Sequence, residues 1–307
     1  FARTRDLPAV PVQHHHAHVV SCLAENGHTG PVIGIACDGT GHGDDGANWG
    51  CEIFRADLCS YERLGHLRYL PLVGGDGAAV ETYRPAVAAL FDAFGLECME
   101  MDITGKLEAA PEAVRNAVEM LSIGVNCPPS SSLGRWFDAV AAFCRIADRN
   151  AYEAQAPARL EVAAREGIAD SYSYRVTAGG PFVIDLRPMV EQIVTAAAGT
   201  DVGLISAKFH NTVVAFLADA AGRARSETGL DVVALSGGCF INRYLATRLE
   251  ARLKAMGFAV LTHQQIPCND AGVALGQAVI ASARRSIASD RRGDRGQSGK
   301  PASLHRG

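Results

Sequence analysis

Apolar residues recur along the chain with two spacings, and these spacings predict the secondary structure. Short apolar runs that end in glycine predict buried strands, whereas apolar positions three and four residues apart predict helices. The predicted strands cover residues 31–39, 49–58, 231–239 and 258–263, with a hairpin at 171–186. The predicted helices cover residues 13–26, 77–95, 111–122, 132–148, 187–198, 203–226, 241–256 and 270–285. Alternating strands and helices at the end of the chain predict an α/β fold with a covered sheet.

The apolar pattern ends near residue 284. The remaining residues, RRSIASDRRGDRGQSGKPASLHRG, are polar, basic and rich in Gly and Ser. Such a composition cannot bury enough apolar surface to offset the loss of chain entropy. Residues 284–307 are therefore predicted to form a disordered tail.

Length, charge, apolar runs and cysteine spacing exclude several classes of function. A length of 307 residues predicts two lobes or domains. The net charge of −4 and pI of about 6.2 argue against a nucleic-acid footprint over the whole chain, although not against a local basic patch. No apolar run is long enough to span a bilayer. Nine cysteines without a CxxC pair argue against a zinc ribbon or redox dithiol and favour a reducing, cytoplasmic compartment.

Four histidines lie in the segment PVQHHHAHVV, at the start of the first predicted helix. Residues four apart share a helix face, so His14 and His18 point the same way while His15 and His16 point elsewhere. Two imidazoles at this spacing can bind the same metal ion, although solvent-facing or core histidines would give the same pattern. No Glu completes an HExxH motif, which excludes a metalloprotease of that kind.

A glycine-rich loop, CDGTGHGDDG, follows the first predicted strand. The strand delivers Asp38 at its end, where the carboxylate can hold a metal or position a nucleophile. Gly39, Thr40 and Gly41 would let backbone amides approach phosphate oxygens. The segment matches neither a P-loop nor a dinucleotide fingerprint. The alternative is a tight turn between two hairpin strands.

A second strand ends in LSGGCFIN, where Gly237 and Gly238 again permit close backbone approach. Asn242 at the following helix start can cap the helix or bond a ribose or base. Asp270 begins the last helix, where a cap is the simpler interpretation. Two strand–glycine loops about 200 residues apart indicate a nucleotide gripped between two lobes, as in the actin, sugar-kinase and Hsp70-like (ASKHA) folds.

Eight collinear segments, from about residue 3 to 283, resemble the carbamoyltransferase HypF family of nickel–iron hydrogenase maturation, specifically its C-terminal TsaD-like domain. These segments are VQHHHAH, DGTGHGDDGANWGCE, PLVGGDGA, SSSLGRWFDAVAA, YEAQAPARLE, KFH, LSGGCFINR and NDAGVALGQAVIA. The resemblance implies an ASKHA fold that lacks its first strands. It implies a domain at residues 1–283, with one lobe at 1–130 plus part of the C-terminal helix and another at 131–270.

The resemblance also implies the site residues. His14, His18 and Asp270 would hold a divalent metal, and Asp38 would add a further ligand. Imidazoles with carboxylates suit Zn²⁺ or Fe²⁺ better than Mg²⁺, which prefers oxygen ligands. The segments implied to contact the nucleotide, together with the first glycine loop, contribute Gly39, Thr40, Gly41, Gly134, Asp138, Gly237, Gly238 and Asn242. One departure is Ala154, where a glycine is expected.

The activity implied is carbamoyl transfer. Family members make carbamoyl-adenylate from carbamoyl phosphate and ATP, and pass the carbamoyl group to the C-terminal cysteine of the partner HypE. The activating domains do not match this chain, so it is expected to perform the transfer half only. The alternatives are an O-carbamoyltransferase acting on a small hydroxylated molecule and an inactive nucleotide-binding fragment. The HHHAH run and the acidic pI argue against tRNA threonylcarbamoylation.

Overall fold

Nine strands and eleven helices form the described part of the chain. The computed structural model describes residues 3–7, 9–196 and 201–297. The strands are β1 Val32–His42, β2 Asn48–Ala56, β3 Tyr61–Leu67, β4 Leu70–Pro71, β5 Pro129–Ser130, β6 Arg175–Val176, β7 Phe182–Asp185, β8 Val232–Ser236 and β9 Ala259–Leu261. The helices are α1 His14–Glu25, α2 Gly77–Val80, α3 Tyr83–Phe94, α4 Asp102–Gly105, α5 Pro111–Ile123, α6 Leu133–Phe143, α7 Gln155–Ala163, α8 Arg187–Ala196, α9 Val202–Thr228, α10 Arg243–Ala255 and α11 Val273–Gln297.

The strands form one mixed sheet with the order β6-β7-β3-β2-β1-β8-β9. Strands β1, β2 and β3 form an antiparallel meander, and β8 and β9 join its β1 edge in parallel. The short strands β4 and β5 pair beside β2. The sheet includes strands from before and after residue 130. The lobe boundary predicted at that residue therefore does not divide the sheet.

Helices cover both faces of the sheet, which explains why β8 and the first half of β1 are almost entirely apolar. Along β1, Ile33 and Ile35 pack into the large core beneath α3, α6 and α9, whereas Val32 and Ala36 pack beneath α1 and α11. Helices α1 and α11 approach closely, since a Cβ at Gly276 would lie 1.9 Å from the carbonyl oxygen of Ala17. This contact fixes the helix that carries the histidines.

The parallel pairing of β1 and β8 places the two predicted glycine loops side by side. Ala36 pairs with Ser236, so Gly237 lies next to Cys37. Gly237 has φ +106°, and a Cβ there would lie 2.2 Å from the carbonyl oxygen of Cys37, so only glycine fits. The two glycine loops therefore lie on neighbouring strands of one sheet in the described structure, because β8 adds to the edge of β1.

Most predicted elements are present, and the differences have local causes. The predicted helix 77–95 breaks into α2 and α3, where Glu81 is extended and the buried Thr82 bonds the carbonyl of Ala147. The predicted helix 132–148 ends at Phe143, followed by Arg145 with positive φ. β3 and α7 were not expected, since YERLGHL alternates irregularly and QAPARLEVA contains a proline.

The C-terminal segment also differs from the prediction. α11 continues to Gln297, past residue 284, where the disordered tail is predicted to begin. This stretch contains no proline and five arginines, which favour helix continuation, whereas Gly293 and Gly296 oppose it. Residues 197–198 of one predicted helix and residues 298–307 of the tail lie outside the described residues. No helix in the described ranges is long and apolar enough to cross a membrane.

Candidate active site

The first turn of α1 holds the histidines in place. Gln13 is the N-cap, and its side-chain oxygen accepts a hydrogen bond of 2.8 Å from the amide of His16. The other end of the same side chain donates to the carbonyl of His42, which ties the helix start to the end of β1. His14 and His18 then project toward the same point, as their spacing predicts.

Two carboxylates meet these imidazoles from distant parts of the sequence. Asp38 lies in β1, where a register shift between Cys37 and Gly41 interrupts the pairing with β2. Asp270 lies at the end of the loop that follows β9. The cap interpretation of Asp270 is wrong, because the side chain of Asn269 caps this turn and leaves the Asp270 carboxylate free to reach the histidines.

The four side chains place their ligand atoms close enough to hold one cation. Oδ2 of Asp38 lies 3.2 Å from Nε2 of His14 and 3.1 Å from Nε2 of His18. Oδ1 of Asp270 lies 3.3 and 3.2 Å from the same two nitrogens, which are 3.2 Å apart. Tetrahedral zinc with bonds of about 2.0 Å needs donors about 3.3 Å apart. The donor set and its spacing therefore fit Zn²⁺ or Fe²⁺ better than Mg²⁺.

The electrostatics of the cluster favour a positive charge. Burial alone would raise the pKa of Asp38, but hydrogen bonds from His14 and His18 hold it well below its usual range. Burial opposes charge on His18, yet its hydrogen bonds to Asp270 and Asp38 raise its pKa to about 9. The ionised Asp38 carboxylate thus favours a cation at this point.

His15 and His16 contribute no ligand atom to the cluster, as the helical phase predicts, although the ring of His15 packs on that of His14 with centroids 5.1 Å apart. Nε2 of His16 lies 2.8 Å from the carbonyl oxygen of Asp57, and its ring packs on Tyr61. His15 is fully buried beside Trp49, and burial lowers its pKa to about 3. Both rings therefore stay neutral and support the first turn of α1.

A cavity of about 390 Å³ adjoins the cluster and shares Asp38 with it. Oδ1 of Asp38, the oxygen turned away from the histidine cluster, accepts hydrogen bonds from the amides of Gly39 (2.8 Å) and Gly238 (3.2 Å). The wall combines backbone, small apolar side chains and charged side chains. Its lining residues are Asp38, Gly39, Gly134, Arg135, Phe137, Tyr152, Glu153, Ala154, Pro157, Ala158, Glu161, Gly238, Cys239, Ile241, Asn242 and Asn269.

Half of the residues predicted to contact the nucleotide line this cavity, namely Gly39, Gly134, Gly238 and Asn242. Asn242 is already engaged at both ends of its amide. Its oxygen caps α10 through the amide of Leu245, and its nitrogen donates to Nε2 of His210. The capping interpretation of Asn242 is confirmed, so only the outer surface of its side chain faces the cavity.

The other four predicted residues do not line the cavity, because β1 continues to His42 instead of looping at Gly39. Thr40 is exposed on that strand. A Cβ at Gly41 would lie 2.6 Å from the ring of His14, so Gly41 makes room for the histidines. Gly237 makes room for the backbone of β1. Asp138 is fully buried behind Arg135, where burial raises its pKa.

Sequence reasoning missed three charged residues of the cavity wall, Arg135, Glu153 and Glu161. Nε of Arg135 lies 2.9 Å from the Asp138 carboxylate, and its guanidinium is the cationic group of the lining. Glu161 accepts hydrogen bonds from the first two amides of α10, those of Arg243 and Tyr244. The only available signal was the proximity of Arg135 to the predicted Gly134.

Ala154 occupies a position that favours glycine. It precedes α7 with φ 59° and ψ 24°, the left-handed conformation, and it lines the cavity. An L side chain is strained in this region of backbone space. The glycine expected at this position therefore has a conformational reason.

Two family models match the chain. The model described as "Carbamoyltransferase, Kae1-like Domain, second subdomain" matches residues 34–277, and the model described as "HypF Kae1-like domain" matches residues 1–25. Carbamoyltransferase HypF2 of Cupriavidus necator is 40% identical over 91% of this chain and 37% of its own length. The carbamoyltransferase HypF homolog of the same organism is 39% identical over 92% of this chain and 73% of its own length.

Solved structures show the same similarity. A full-length HypF in the phosphate- and nucleotide-bound form superposes with a TM-score of 0.86 at 42% identity. The match covers 91% of this chain and 44% of that one. HypF of T. kodakarensis gives a TM-score of 0.80 at 30% identity, covering 91% of this chain and 37% of that protein. The chain thus spans less than half the length of these two structures.

Proposed function

This chain belongs to the HypF family of carbamoyltransferases, and from that premise we propose that it transfers a carbamoyl group from carbamoyl-adenylate to the C-terminal cysteine of a HypE-like protein. The observation that carries the proposal is the position of Asp38. One of its oxygens belongs to the histidine cluster, and the other binds two amides at the cavity wall. A single residue thus joins a metal-binding donor set to a space for a nucleotide. Residues 1–283 would form the transfer domain.

The cluster is the proposed metal centre, held by His14, His18, Asp38 and Asp270. A bound Zn²⁺ or Fe²⁺ would supply Lewis acidity toward an acyl phosphate. The protein's own contribution is to hold both imidazoles and both carboxylates at this point through α1, β1 and the loop before α11.

The cavity is the proposed site for AMP or its carbamoyl anhydride. Gly39 and Gly134 line this cavity, and a solved full-length HypF is described as phosphate- and nucleotide-bound. Arg135 would pair with the phosphate, because a guanidinium forms charge-assisted hydrogen bonds with phosphate oxygens. The apolar side chains of Phe137 and Ile241 would pack against the nucleoside.

The transfer itself needs a nucleophile from outside the chain. The partner's thiolate attacks the carbamoyl carbon, a C–S bond forms, and the bond from that carbon to the AMP phosphate oxygen breaks. Arg135 and the N-terminus of α6, capped by Ser132, would stabilise the charge that the departing AMP gains. The nine free cysteines of the chain suit a reducing, cytoplasmic setting for this chemistry.

The test supplies carbamoyl-adenylate and an acceptor together. The chain is mixed with carbamoyl phosphate, ATP and an adenylate-forming domain from a relative, and then with a peptide that ends in cysteine. Mass spectrometry should show one carbamoyl group on the peptide only when this chain is present. A peptide ending in serine is the matched control and should stay unmodified.

Other outcomes would select another function. Carbamoylation of an aminoglycoside, with none on the cysteine peptide, would identify the O-carbamoyltransferase alternative. Binding of AMP without transfer to either acceptor would identify a nucleotide-binding fragment. Either result would overturn the proposed acceptor.

A further inference from the structure

The end of α1 opposite the histidines holds the loop that leads to Asp270. Oε1 of Glu25 accepts hydrogen bonds from three successive backbone amides, those of Gln264 (2.8 Å), Gln265 and Ile266 (3.3 Å). Three donors converging on one carboxylate oxygen form a nest for the ionised group. Although burial would raise the pKa of Glu25, these amides and His263 keep it below its usual value.

A second link runs from Glu25 into the sheet. Nδ1 of His263 lies 3.1 Å from Oε2 of Glu25, and Nε2 of His263 lies 2.9 Å from the hydroxyl of Ser236. Because an ionised carboxylate only accepts, Nδ1 carries the proton and donates to Glu25, while Ser236 donates to Nε2. The order matches a nucleophile triad, but Ser236 is 0% exposed and no substrate reaches it. The chain of hydrogen bonds is therefore a structural link from α1 to β8.

The same loop is fixed at two further points. Asn26, which follows α1, donates to the carbonyl of Thr262 at 3.1 Å. The amide of Gly237 donates to the carbonyl of Cys268 at 2.9 Å. The backbone between β9 and Asp270 is thus held by α1 at its start and by β8 near its end.

Asp270 depends on that backbone for its position. Its side chain is 72% exposed, and its ion pairs with other described residues are those with His14 and His18. No surrounding wall orients it, so the path of the loop decides where its carboxylate lies.

We infer that Glu25 is a positioning residue for the cluster, because it fastens the loop before Asp270 to the same helix that carries His14 and His18. The inference rests on the metal centre proposed above. Glu25 lies on the last turn of α1 and contacts none of the four proposed ligands in the described structure, so it acts through the backbone of residues 262–269.

The experiment measures Zn²⁺ affinity by chelator competition in wild type, Glu25→Gln and Glu119→Gln. Glu119 is an exposed residue of α5 and serves as the matched control. Loss of an outer partner typically weakens metal binding about 10- to 100-fold, and we expect Glu25→Gln to fall in that range while Glu119→Gln stays unchanged. Hydrogen exchange of residues 262–269 should accelerate in Glu25→Gln alone.

A double-mutant cycle separates positioning from general destabilisation. If Glu25 acts through Asp270, adding Glu25→Gln to Asp270→Asn should weaken Zn²⁺ binding no further. His263→Gln, which removes one of the links, should cause a smaller loss than Glu25→Gln and covers the case in which Glu25→Gln does not fold. Equal Zn²⁺ affinity in wild type, Glu25→Gln and His263→Gln would overturn the inference. Full additivity of the losses caused by Glu25→Gln and Asp270→Asn would overturn it as well. Absence of Zn²⁺ binding by the wild-type chain would contradict the proposed metal centre itself.

Discussion

The histidine–carboxylate cluster and the adjoining cavity share Asp38 but are built differently. The cluster brings together side chains from three segments, and each imidazole nitrogen lies 3.1 to 3.3 Å from the other three donor atoms. The cavity wall combines glycines and small side chains with larger apolar and charged ones around about 390 Å³, with a single cationic lining group, Arg135. The cluster thus depends on the identity of each of four side chains, whereas the wall of the cavity is shared among sixteen residues. A single substitution should therefore cause a large loss of metal affinity in the cluster but only a modest loss of nucleotide affinity in the cavity.

The largest effect is expected within the cluster. His18 is 1% exposed and lies within 3.2 Å of the three other ligand atoms. His18→Ala should reduce Zn²⁺ affinity by more than about 100-fold, above the effect of losing an outer partner. Elemental analysis of the purified protein should show the resulting loss of bound metal.

A histidine on the same side of the molecule serves as the control. His42 ends β1 with an exposed side chain, and only its carbonyl contacts Gln13. His42→Ala should keep full metal content. Equal metal content in His18→Ala and His42→Ala would show that the cluster does not bind the metal.

The sequence predicted the cluster better than the cavity for a physical reason. Helical spacing alone pairs His14 with His18, and the end of an apolar strand marks Asp38. Asp270 lies 252 residues from His18. No local pattern reports such a contact, so only the family resemblance identified it.

The cavity residues were less predictable because glycine has several uses. Gly41 and Gly237 allow close packing of the His14 ring and of a strand, yet in sequence they look the same as Gly39 and Gly238. The strand β1 also continues past the expected loop, which moves Thr40 away from the cavity. Arg135 escaped notice because an arginine in a helix is usually exposed, and only Asp138 below it explains its burial.

A pH-dependent effect is expected behind the cavity wall. Burial lowers the pKa of His210, which supports Asn242, to about 4. The folded state then binds fewer protons than the unfolded state, so stability falls as the pH drops from about 6.5 through about 4. The lost free energy of unfolding is about 3 kcal/mol. Urea unfolding across this range should show a shallower pH dependence in His210→Gln, and an identical dependence would contradict the assignment.

A smaller effect is expected for the cationic group of the cavity. Arg135→Gln should weaken AMP binding about 10-fold, since a charge-assisted hydrogen bond contributes about 1.5 kcal/mol or more. Metal content should stay unchanged, because Arg135 contacts none of the four ligands. Isothermal titration calorimetry measures the first quantity, and unchanged AMP affinity would exclude Arg135 from phosphate binding.

The smallest effect concerns backbone strain at the cavity rim. Ala154 has φ 59°, so Ala154→Gly should raise the free energy of unfolding by up to about 1 kcal/mol. Ala158 lies within α7, and Ala158→Gly should lower it by about 0.5 to 1 kcal/mol. Urea unfolding of both variants should therefore give changes of opposite sign, and the same sign in both would show that Ala154 is unstrained.

The most direct test measures whether the proposed metal and nucleotide sites are one unit joined by Asp38. AMP affinity is titrated with and without Zn²⁺ in wild type and in Asp38→Asn. Wild type should bind AMP at least about 5-fold more tightly with the metal, and Asp38→Asn should abolish that difference. Identical AMP affinity in wild type with and without Zn²⁺ would contradict the account.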